Sequence, residues 1–325
     1  MLQHVLIGIG AGAASALLSV ASIFGPPTAV LLVIFASLPV MIAAIGWSHR
    51  AALVAIATSG VIMFALFNFK VAIAIALTVG LPAWWLGYLA LLARPASDNT
   101  LEWYPVGGLV FWAALLGGAT IAFALPFYGT DEASLQASLR AVIERAIRMR
   151  AGTGAGGPLT LPGVADPESL VNFFVFIAPF MSAMASTVIN LLNLWLAGLI
   201  VRISGRLTRP WPDIPAMQFP RYAFAIAAIA LAASFVPDIV GIFAGIFATV
   251  TMIAYGALGL AVLHAVSRGM KNRSFVLSSI YFGFLLLSMR QGWPIMMLSL
   301  IGLADAAFNL RARFTAWRGQ PPAHT

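Results

Sequence analysis

The sequence predicts an all-α protein: a polytopic bundle of transmembrane helices. Three observations predict this fold class. Hydrophobic residues make up 61% of the chain and charged residues only 9%, whereas soluble domains carry about 25% charged residues. The mean hydropathy is +0.97. Finally, apolar segments close to the length that a bilayer requires recur along almost the whole chain.

Ten apolar segments are candidate transmembrane helices, although several are shorter than the roughly 20 residues that a bilayer core requires. They are residues 5–22, 28–46, 51–67, 71–93, 106–127, 169–200, 221–236, 239–266, 275–289 and 295–310. The first is interpreted as a retained span, because no Lys or Arg precedes it and equally apolar segments follow. Tight turns join the seventh span to the eighth and the ninth to the tenth, so either pair could be a broken or re-entrant element. We therefore predict roughly eight to ten spans.

The distribution of charge predicts that both termini are cytoplasmic. With ten spans, twelve Lys and Arg residues fall on the inner side and six on the outer side, as expected from the positive-inside rule. The formal net charge of +8 is therefore interpreted as membrane anchoring and not as nucleic-acid binding. The predicted location is the bacterial cytoplasmic (inner) membrane, with the lipid bilayer as the main partner.

Four regions follow from this map. Residues 1–127 hold about five spans, 128–168 form an outer segment, 169–311 hold about five further spans, and 312–325 form a cytoplasmic tail. Within the outer segment, acids precede bases and apolar residues recur at helical spacing. This pattern predicts an amphipathic helix over 132–150 on the outer membrane surface. A Gly-rich linker follows it. The segment is either a connector or a lid over an outward-facing cavity.

Motifs for catalysis and cofactors are missing from the sequence. It contains no cysteine, which excludes thiolate ligands and Cys nucleophiles. Gly152, Gly154 and Gly157 spell G-x-G-x-x-G, but no strand–helix context for dinucleotide binding surrounds them, and there is no P-loop motif. The prediction is a protein with no cofactor, no metal and no catalytic residues. An intramembrane enzyme is the least favoured reading, and Asp305 with His264 is the titratable pair to inspect for it.

A polar stripe on the sixth span is the strongest candidate site. Five polar residues fall within an arc of roughly 80° on an otherwise apolar helix, at about 100° per residue. They are Asn172, Ser182, Ser186, Asn190 and Asn193. Unpaired amides facing lipid are costly. The stripe therefore either lines a cavity for a small solute or forms interhelical hydrogen bonds that hold the bundle together.

A buried ion pair is predicted in the last span. Asp305 lies inside this apolar segment, where an ionised group normally pairs or faces water. Arg311 and Arg313 are the local candidates for its partner, and arginines of the loops at 202–209 or 268–273 are more distant ones. Either a structural ion pair or an ion or proton site would explain the residue.

Small residues on the first span predict close helix packing. Gly8, Gly12 and Ala16 repeat a small-xxx-small pattern, which allows two helices to approach closely. The partner helix could belong to the same chain or to another membrane subunit.

Several short motifs carry a resemblance to a known family. They are Glu102-Trp103-Tyr104-Pro105, Gly292-Trp293-Pro294, Gly302-Leu303-Ala304-Asp305 and Asn309-Leu310-Arg311-Ala312-Arg313. With them the chain resembles the uncharacterised YybS-like bacterial integral membrane proteins, in their alphaproteobacterial form. That group is distantly similar to the substrate-binding subunits of energy-coupling-factor transporters, which have six helices, bind a vitamin or metal ion near the outer face and dock an energising module. The resemblance implies that the small face of span one docks a partner and that span six or 128–168 lies near a solute pocket.

Two functions from different classes follow. The leading hypothesis is a membrane subunit for small-solute uptake that lacks its own ATPase and binds its solute at the polar stripe. The alternative is a non-transporting scaffold for envelope machinery, which predicts a dry, fully packed sixth span. In both hypotheses the protein is not an enzyme.

Overall fold

The computed structural model describes residues 1–24, 30–97, 100–151, 166–290 and 293–317. Among these residues the helices are α1 (Leu2–Phe24), α2 (Val30–Val33), α3 (Leu38–Gly46), α4 (His49–Leu66), α5 (Phe69–Ile75), α6 (Leu81–Ala90), α7 (Val106–Ala124), α8 (Glu132–Ala151), α9 (Pro167–Ile203), α10 (Tyr222–Ala233), α11 (Asp238–Val266), α12 (Arg273–Arg290), α13 (Trp293–Phe308) and α14 (Leu310–Trp317). A π-helical turn joins α5 to α6. The predicted all-α bundle is confirmed.

One small hairpin was not predicted. Its strands are β1 (Ala93–Pro95) and β2 (Leu101–Trp103), which pair antiparallel. Arg94 lies opposite Glu102, and their side chains form an exposed ion pair of 2.8 Å. The hairpin connects α6 to α7.

Each of the ten predicted spans coincides with a helix or a broken pair of helices. Six helical segments are long and apolar enough to cross a membrane, and they correspond to α1, α4, α5 with α6, α7, α9 and α11. Four shorter apolar segments, Leu31–Gly46, Tyr222–Ala233, Arg273–Ser288 and Trp293–Phe308, occupy the other four positions. The chain is a multi-pass membrane protein on this evidence.

The helix bundle is built around the longest helix, α9. Helix α1 packs on α4, and α3 lies against both α6 and α9. Helix α7 packs between α9 and α11, and α11 also carries α10 and α13. The described residues form four hydrophobic clusters, of which two are the largest. One surrounds Met41 and Leu86 on the α3–α6 side, and the other surrounds Phe111 and Ile246 on the α7–α11 side.

Large apolar side chains cover much of the outer surface. Phe176, Phe235 and Phe275 are each more than 70% exposed. Soluble proteins rarely expose extended apolar patches, whereas a helix that faces lipid needs an apolar exterior. The exposed surface therefore agrees with a bundle embedded in a bilayer.

The outer helix α8 packs against the end of the bundle. It spans Glu132–Ala151, close to the predicted 132–150. Leu135 is 1% exposed in the core that contains Phe111 and Ile246, while Met149 is 72% exposed. The first turns of α8 are therefore anchored to the bundle. The Gly-rich linker with Gly152, Gly154 and Gly157 lies outside the described residues.

Loops that the sequence assigns to the cytoplasmic side contact one another. The Arg206 guanidinium lies 4.4 Å from the ring of Trp47, and Arg268 pairs with Asp213. Arg311 donates to the carbonyl oxygen of Pro215 at 2.8 Å. These contacts join three loops and helix α14 at one end of the bundle.

Candidate functional site

The polar stripe of the sixth span lies on α9, and only its last two members are buried. Asn190 is 6% exposed and Asn193 is fully buried. The Asn190 amide donates to the carbonyl oxygen of Ala113 on α7 at 3.2 Å. Ser182 and Asn172 are exposed and Ser186 is half-buried. The five residues therefore do not converge on one cavity.

Asn193 completes the hydrogen bonding of a break in the second span. Helices α2 and α3 are separated at residues 34–37, which leaves backbone carbonyls without helical partners. The Asn193 amide donates to the Ile34 carbonyl at 2.6 Å and also to that of Ile189 at 2.9 Å. The Ser15 hydroxyl donates to the Ala36 carbonyl at 2.7 Å. Irregular backbone at membrane depth is tolerated when it is buried and hydrogen-bonded in this way.

This break was not predicted. The sequence interpretation considered a broken element only for the pairs 221–236 with 239–266 and 275–289 with 295–310, which stays a prediction, and the structure shows a further break at residues 34–37 of the second span. The second span is apolar along its length, so its hydropathy gave no indication of the break at residues 34–37. Residues 291 and 292, at the turn of the last pair, lie outside the described residues.

Asn172 belongs to a polar cluster at the opposite end of α9. Arg140 on α8 forms an ion pair with Glu168 at 2.8 Å and also donates a hydrogen bond to the Asn172 side-chain oxygen. Arg140 bonds to Glu144 on its own helix at 3.2 Å. Hydrogen bonding to Glu168 raises the pKa of Arg140. The cluster ties α8 to the start of α9.

Asp305 forms a buried ion pair with Arg311. The side chain of Asp305 is 2% exposed, and its Oδ2 lies 2.7 Å from the Arg311 guanidinium. Its Oδ1 accepts from the Arg311 backbone amide at 3.0 Å. Asn309 makes this possible with a φ of 50°, a left-handed conformation that ends α13 and turns the chain back. Arg313 is exposed.

The small face of α1 packs within the chain. A Cβ added at Gly12 would lie 2.3 Å from the Ala55 carbonyl oxygen on α4, and one at Gly8 would lie 2.6 Å from that of Ala51. Ala16 is fully buried in the same interface. Helix α4 therefore occupies the predicted docking face.

A large cavity at one end of the bundle was not predicted. Its volume is about 520 Å³, and it lies at the end of the bundle where the predicted cytoplasmic loops meet. Helices α7, α9 and α11 supply most of its apolar walls, and the loop that follows α9 closes one side. Representative lining residues are Val110, Leu191, Leu194, Trp195, Ala257 and Leu260. The Trp–Pro-rich sequence around Trp211 is the one signal that could have indicated a structured loop there.

Arg209 is the charged residue of this closing loop that lines the cavity. Its guanidinium donates to the carbonyl oxygens of Ala90 at 3.0 Å and Tyr104 at 3.3 Å. Its Nε is buried and has no hydrogen-bond partner. Burial lowers the pKa of Arg209, although an arginine remains protonated. The wall of the cavity therefore carries a positive charge, and the hydrogen bonds of this guanidinium go to neutral carbonyls.

His264 and Tyr281 form the second polar element of the cavity wall. Their side chains are hydrogen-bonded through His264 Nε2 and the Tyr281 hydroxyl. Arg273 lies 3.4 Å from His264 Nδ1. This arrangement is consistent with a neutral imidazole that accepts at Nδ1 and donates at Nε2.

His264 and Asp305 are not brought together. His264 lines the large cavity, and Asp305 lines a separate polar pocket of about 200 Å³ beside Arg311 and Gln218. The described residues contain no group of three or more His, Cys, Asp or Glu side chains arranged to hold a metal. The arrangement is suited to binding a molecule with an apolar body.

Comparisons with known proteins give one match. No curated protein and no solved structure matches the sequence. Residues 13–306 match a family described as "Predicted membrane protein (DUF2232)". The match covers nearly the whole helical bundle, including the walls of the cavity and Asp305. The chain therefore belongs to the DUF2232 family of membrane proteins.

Proposed function

We propose that this protein is a multi-pass protein of a bacterial cytoplasmic membrane that binds a small solute inside its helix bundle. It serves as the substrate-capturing membrane subunit of an uptake system, catalyses no reaction and depends on a separate ATPase. The observation that carries the proposal is the cavity of about 520 Å³. Small-molecule sites are commonly cavities of about 300–1,000 Å³ with apolar walls and a few polar groups.

The solute site of this proposal is the large cavity and not the polar stripe. The side-chain amide of Asn190 donates a hydrogen bond to a backbone carbonyl of α7, and that of Asn193 donates one to a carbonyl in the α2–α3 break. The cavity instead exposes the neighbouring face of α9 through Leu191, Leu194 and Trp195. A solute there would contact mainly apolar side chains.

The short motifs that resemble the YybS-like proteins support a narrower assignment within the bacterial membrane proteins. We assign the chain to the alphaproteobacterial form of the YybS-like group, distantly similar to the substrate-binding subunits of energy-coupling-factor transporters. This chain differs from those subunits because it has more than six apolar helical segments. Its cavity also lies at the predicted cytoplasmic end. Because Gly8 and Gly12 face α4, a partner subunit would dock on another surface.

A cavity-filling variant tests the proposal. A Cβ at Gly198 would lie 3.7 Å from the Trp211 ring, so Gly198→Leu adds its side chain to the cavity without a backbone clash. The matched control is Gly10→Leu, because an added Cβ there meets nothing within 4 Å. In native mass spectrometry after gentle detergent extraction, the wild type and Gly10→Leu should retain a bound small mass that Gly198→Leu loses. An equally occupied Gly198→Leu protein, or a wild type without bound mass, contradicts the proposal.

A second candidate function is the envelope scaffold. It is favoured by the buried, hydrogen-bonded side-chain amides of Asn190 and Asn193, which join α9 to neighbouring segments. The same extraction separates the two functions. Co-purification of an ATPase and a coupling membrane subunit supports uptake, whereas co-purification of envelope-assembly proteins without a bound small mass supports the scaffold.

A further inference from the structure

We propose that the large cavity takes a single-chain anionic amphiphile, whose apolar chain lies between α7, α9 and α11 and whose carboxylate or phosphate group meets Arg209. This inference rests on the proposed function, since it names the chemical class of the molecule that the cavity binds. It depends on how polar and apolar groups are distributed around the cavity.

The apolar part of the cavity, here called the channel, is lined along stretches of two helices. On α9 the lining runs from Leu191 to Gly198, and on α11 from Ala257 to His264. Each stretch covers two helical turns, or about 10 Å at 1.5 Å per residue. Between these bounds the walls are formed by Leu, Trp, Gly and Ala residues. These walls can bury an acyl chain, but they provide few hydrogen bonds to a polar solute.

The charged end of the channel carries an arginine without an acidic partner. Arg209 reaches the cavity from the closing loop, and its two side-chain hydrogen bonds go to the carbonyls of Ala90 and Tyr104. A guanidinium has five N–H donors, and the buried Nε–H is unpaired. Both side-chain hydrogen bonds of Arg209 go to neutral carbonyls, so an anionic group in the cavity would supply the counter-charge that these bonds do not.

The surroundings of Arg209 are strongly positive. The stretch from 202 to 221 contains Arg202, Arg206, Arg209 and Arg221 against one acid, Asp213. Asp213 is already paired with Arg268. On the opposite wall, Arg273 contacts the ring of His264. This distribution of charge attracts anions to the mouth of the cavity, and a neutral or cationic amphiphile would not benefit from it.

The test uses two probes that differ only in charge, an ω-brominated decanoate and the matching ω-brominated decanol. Bromine quenches tryptophan fluorescence on contact, and Trp195 and Trp211 both line the cavity. The full chain is placed in phosphatidylcholine nanodiscs. The wild type should show saturable quenching by decanoate, at a concentration at least about tenfold lower than by decanol, because a hydrogen bond to a charged group is gained.

Variants then separate the contributions of charge and cavity. Arg209→Gln should weaken decanoate binding by at least about tenfold and leave decanol binding unchanged, whereas Arg209→Lys should keep the preference for decanoate. Gly198→Leu should remove saturable quenching by both probes. Among probes whose chains are shorter than about 10 Å, each added CH₂ group should tighten binding by about fourfold.

Three other results would each contradict a specific part of the proposal. Equal binding of decanoate and decanol by the wild type overturns the anionic preference and leaves the proposed solute-binding function intact. If neither probe shows saturable quenching, the amphiphile proposal fails, and the native mass spectrometry of the wild type and Gly198→Leu decides the solute-binding function separately. If phosphatidylglycerol in the nanodisc displaces decanoate, the site belongs to a bilayer phospholipid and the single-chain assignment is wrong. The wild-type comparison keeps the test valid even when Arg209→Gln does not fold.

Discussion

At the scale of single residues, a few polar side chains satisfy groups that the apolar bundle would otherwise leave unpaired. Asn193 bonds the carbonyl at the α2–α3 break, and Arg311 neutralises the buried carboxylate of Asp305. Asn193 acts across 159 positions of the chain, whereas Arg311 acts across the short turn between α13 and α14. Their replacement is therefore expected to affect stability before it affects binding.

Asn193→Leu should destabilise the protein by about 1–3 kcal/mol, because it leaves the buried Ile34 carbonyl without its donor. The matched control is Ser182→Ala on the exposed face of the same helix, which should change stability by less than about 0.5 kcal/mol. Thermal unfolding in detergent, followed by the loss of monodisperse protein, measures the difference. A stable Asn193→Leu protein that has lost only its bound solute would restore the stripe as the solute site.

Arg311→Met should destabilise the protein by about 3–5 kcal/mol, because the Asp305 carboxylate stays buried without a counter-charge. Arg313→Met should be nearly neutral, since Arg313 is exposed. Removing the second charge as well, with Asp305→Leu and Arg311→Met together, should recover part of the loss. Unfolding midpoints of the wild type, Asp305→Leu, Arg311→Met and the double variant would show it, and an additive double variant would argue against a direct pair.

At the scale of helices, close approach is decided by where small residues meet. Gly12 lies against the Ala55 carbonyl oxygen of α4, whereas Gly10, two residues earlier on the same helix, faces open space. One helix therefore has a tightly packed face and a face free for lipid.

Gly12→Val should destabilise the α1–α4 pair by about 1–3 kcal/mol through overpacking. Gly10→Val has the same loss of backbone freedom and the same added volume, so it isolates the packing effect. Limited proteolysis within the N-terminal helices and the unfolding midpoint both report on the pair. Equal behaviour of the two variants would mean that α1 does not pack on α4 through this face.

At the scale of the whole molecule, the short helices decide the topology. The loop after α9 and the turn before α12 are joined by the pair Asp213–Arg268, so they lie at the same end of the bundle. Two loops in contact lie on one side of the membrane, so this ion pair predicts that α10 and α11 both cross it.

The absence of cysteine from the chain allows a direct topology measurement with single-cysteine variants. Ser204→Cys and Asn272→Cys should both resist a membrane-impermeant maleimide applied to intact cells, and Ala133→Cys should react. All three positions are exposed, so burial does not confuse the comparison. Labelling of Asn272→Cys from outside would remove α10 from the set of spanning helices.

The sequence by itself determined the class and the outline of this protein. The apolar segments predicted the helices at all ten positions, because burial in lipid demands about the same hydrophobic length of every span. The spacing of acids, bases and apolar residues likewise predicted α8, and the isolation of Asp305 in an apolar segment pointed to an ion pair that the structure assigns to Arg311.

Only the tertiary structure decided how these elements use their polar and small residues. The break at residues 34–37 is stabilised by Asn193, a residue 159 positions from Ile34, and no local pattern encodes such a contact. The cavity has the same origin, since α7, α9, α11 and a distant loop each contribute walls that look like ordinary apolar helix in sequence. Hydropathy measures whether each side chain favours water or an apolar environment. Packing, cavities and long-range hydrogen bonds depend instead on which helices become neighbours.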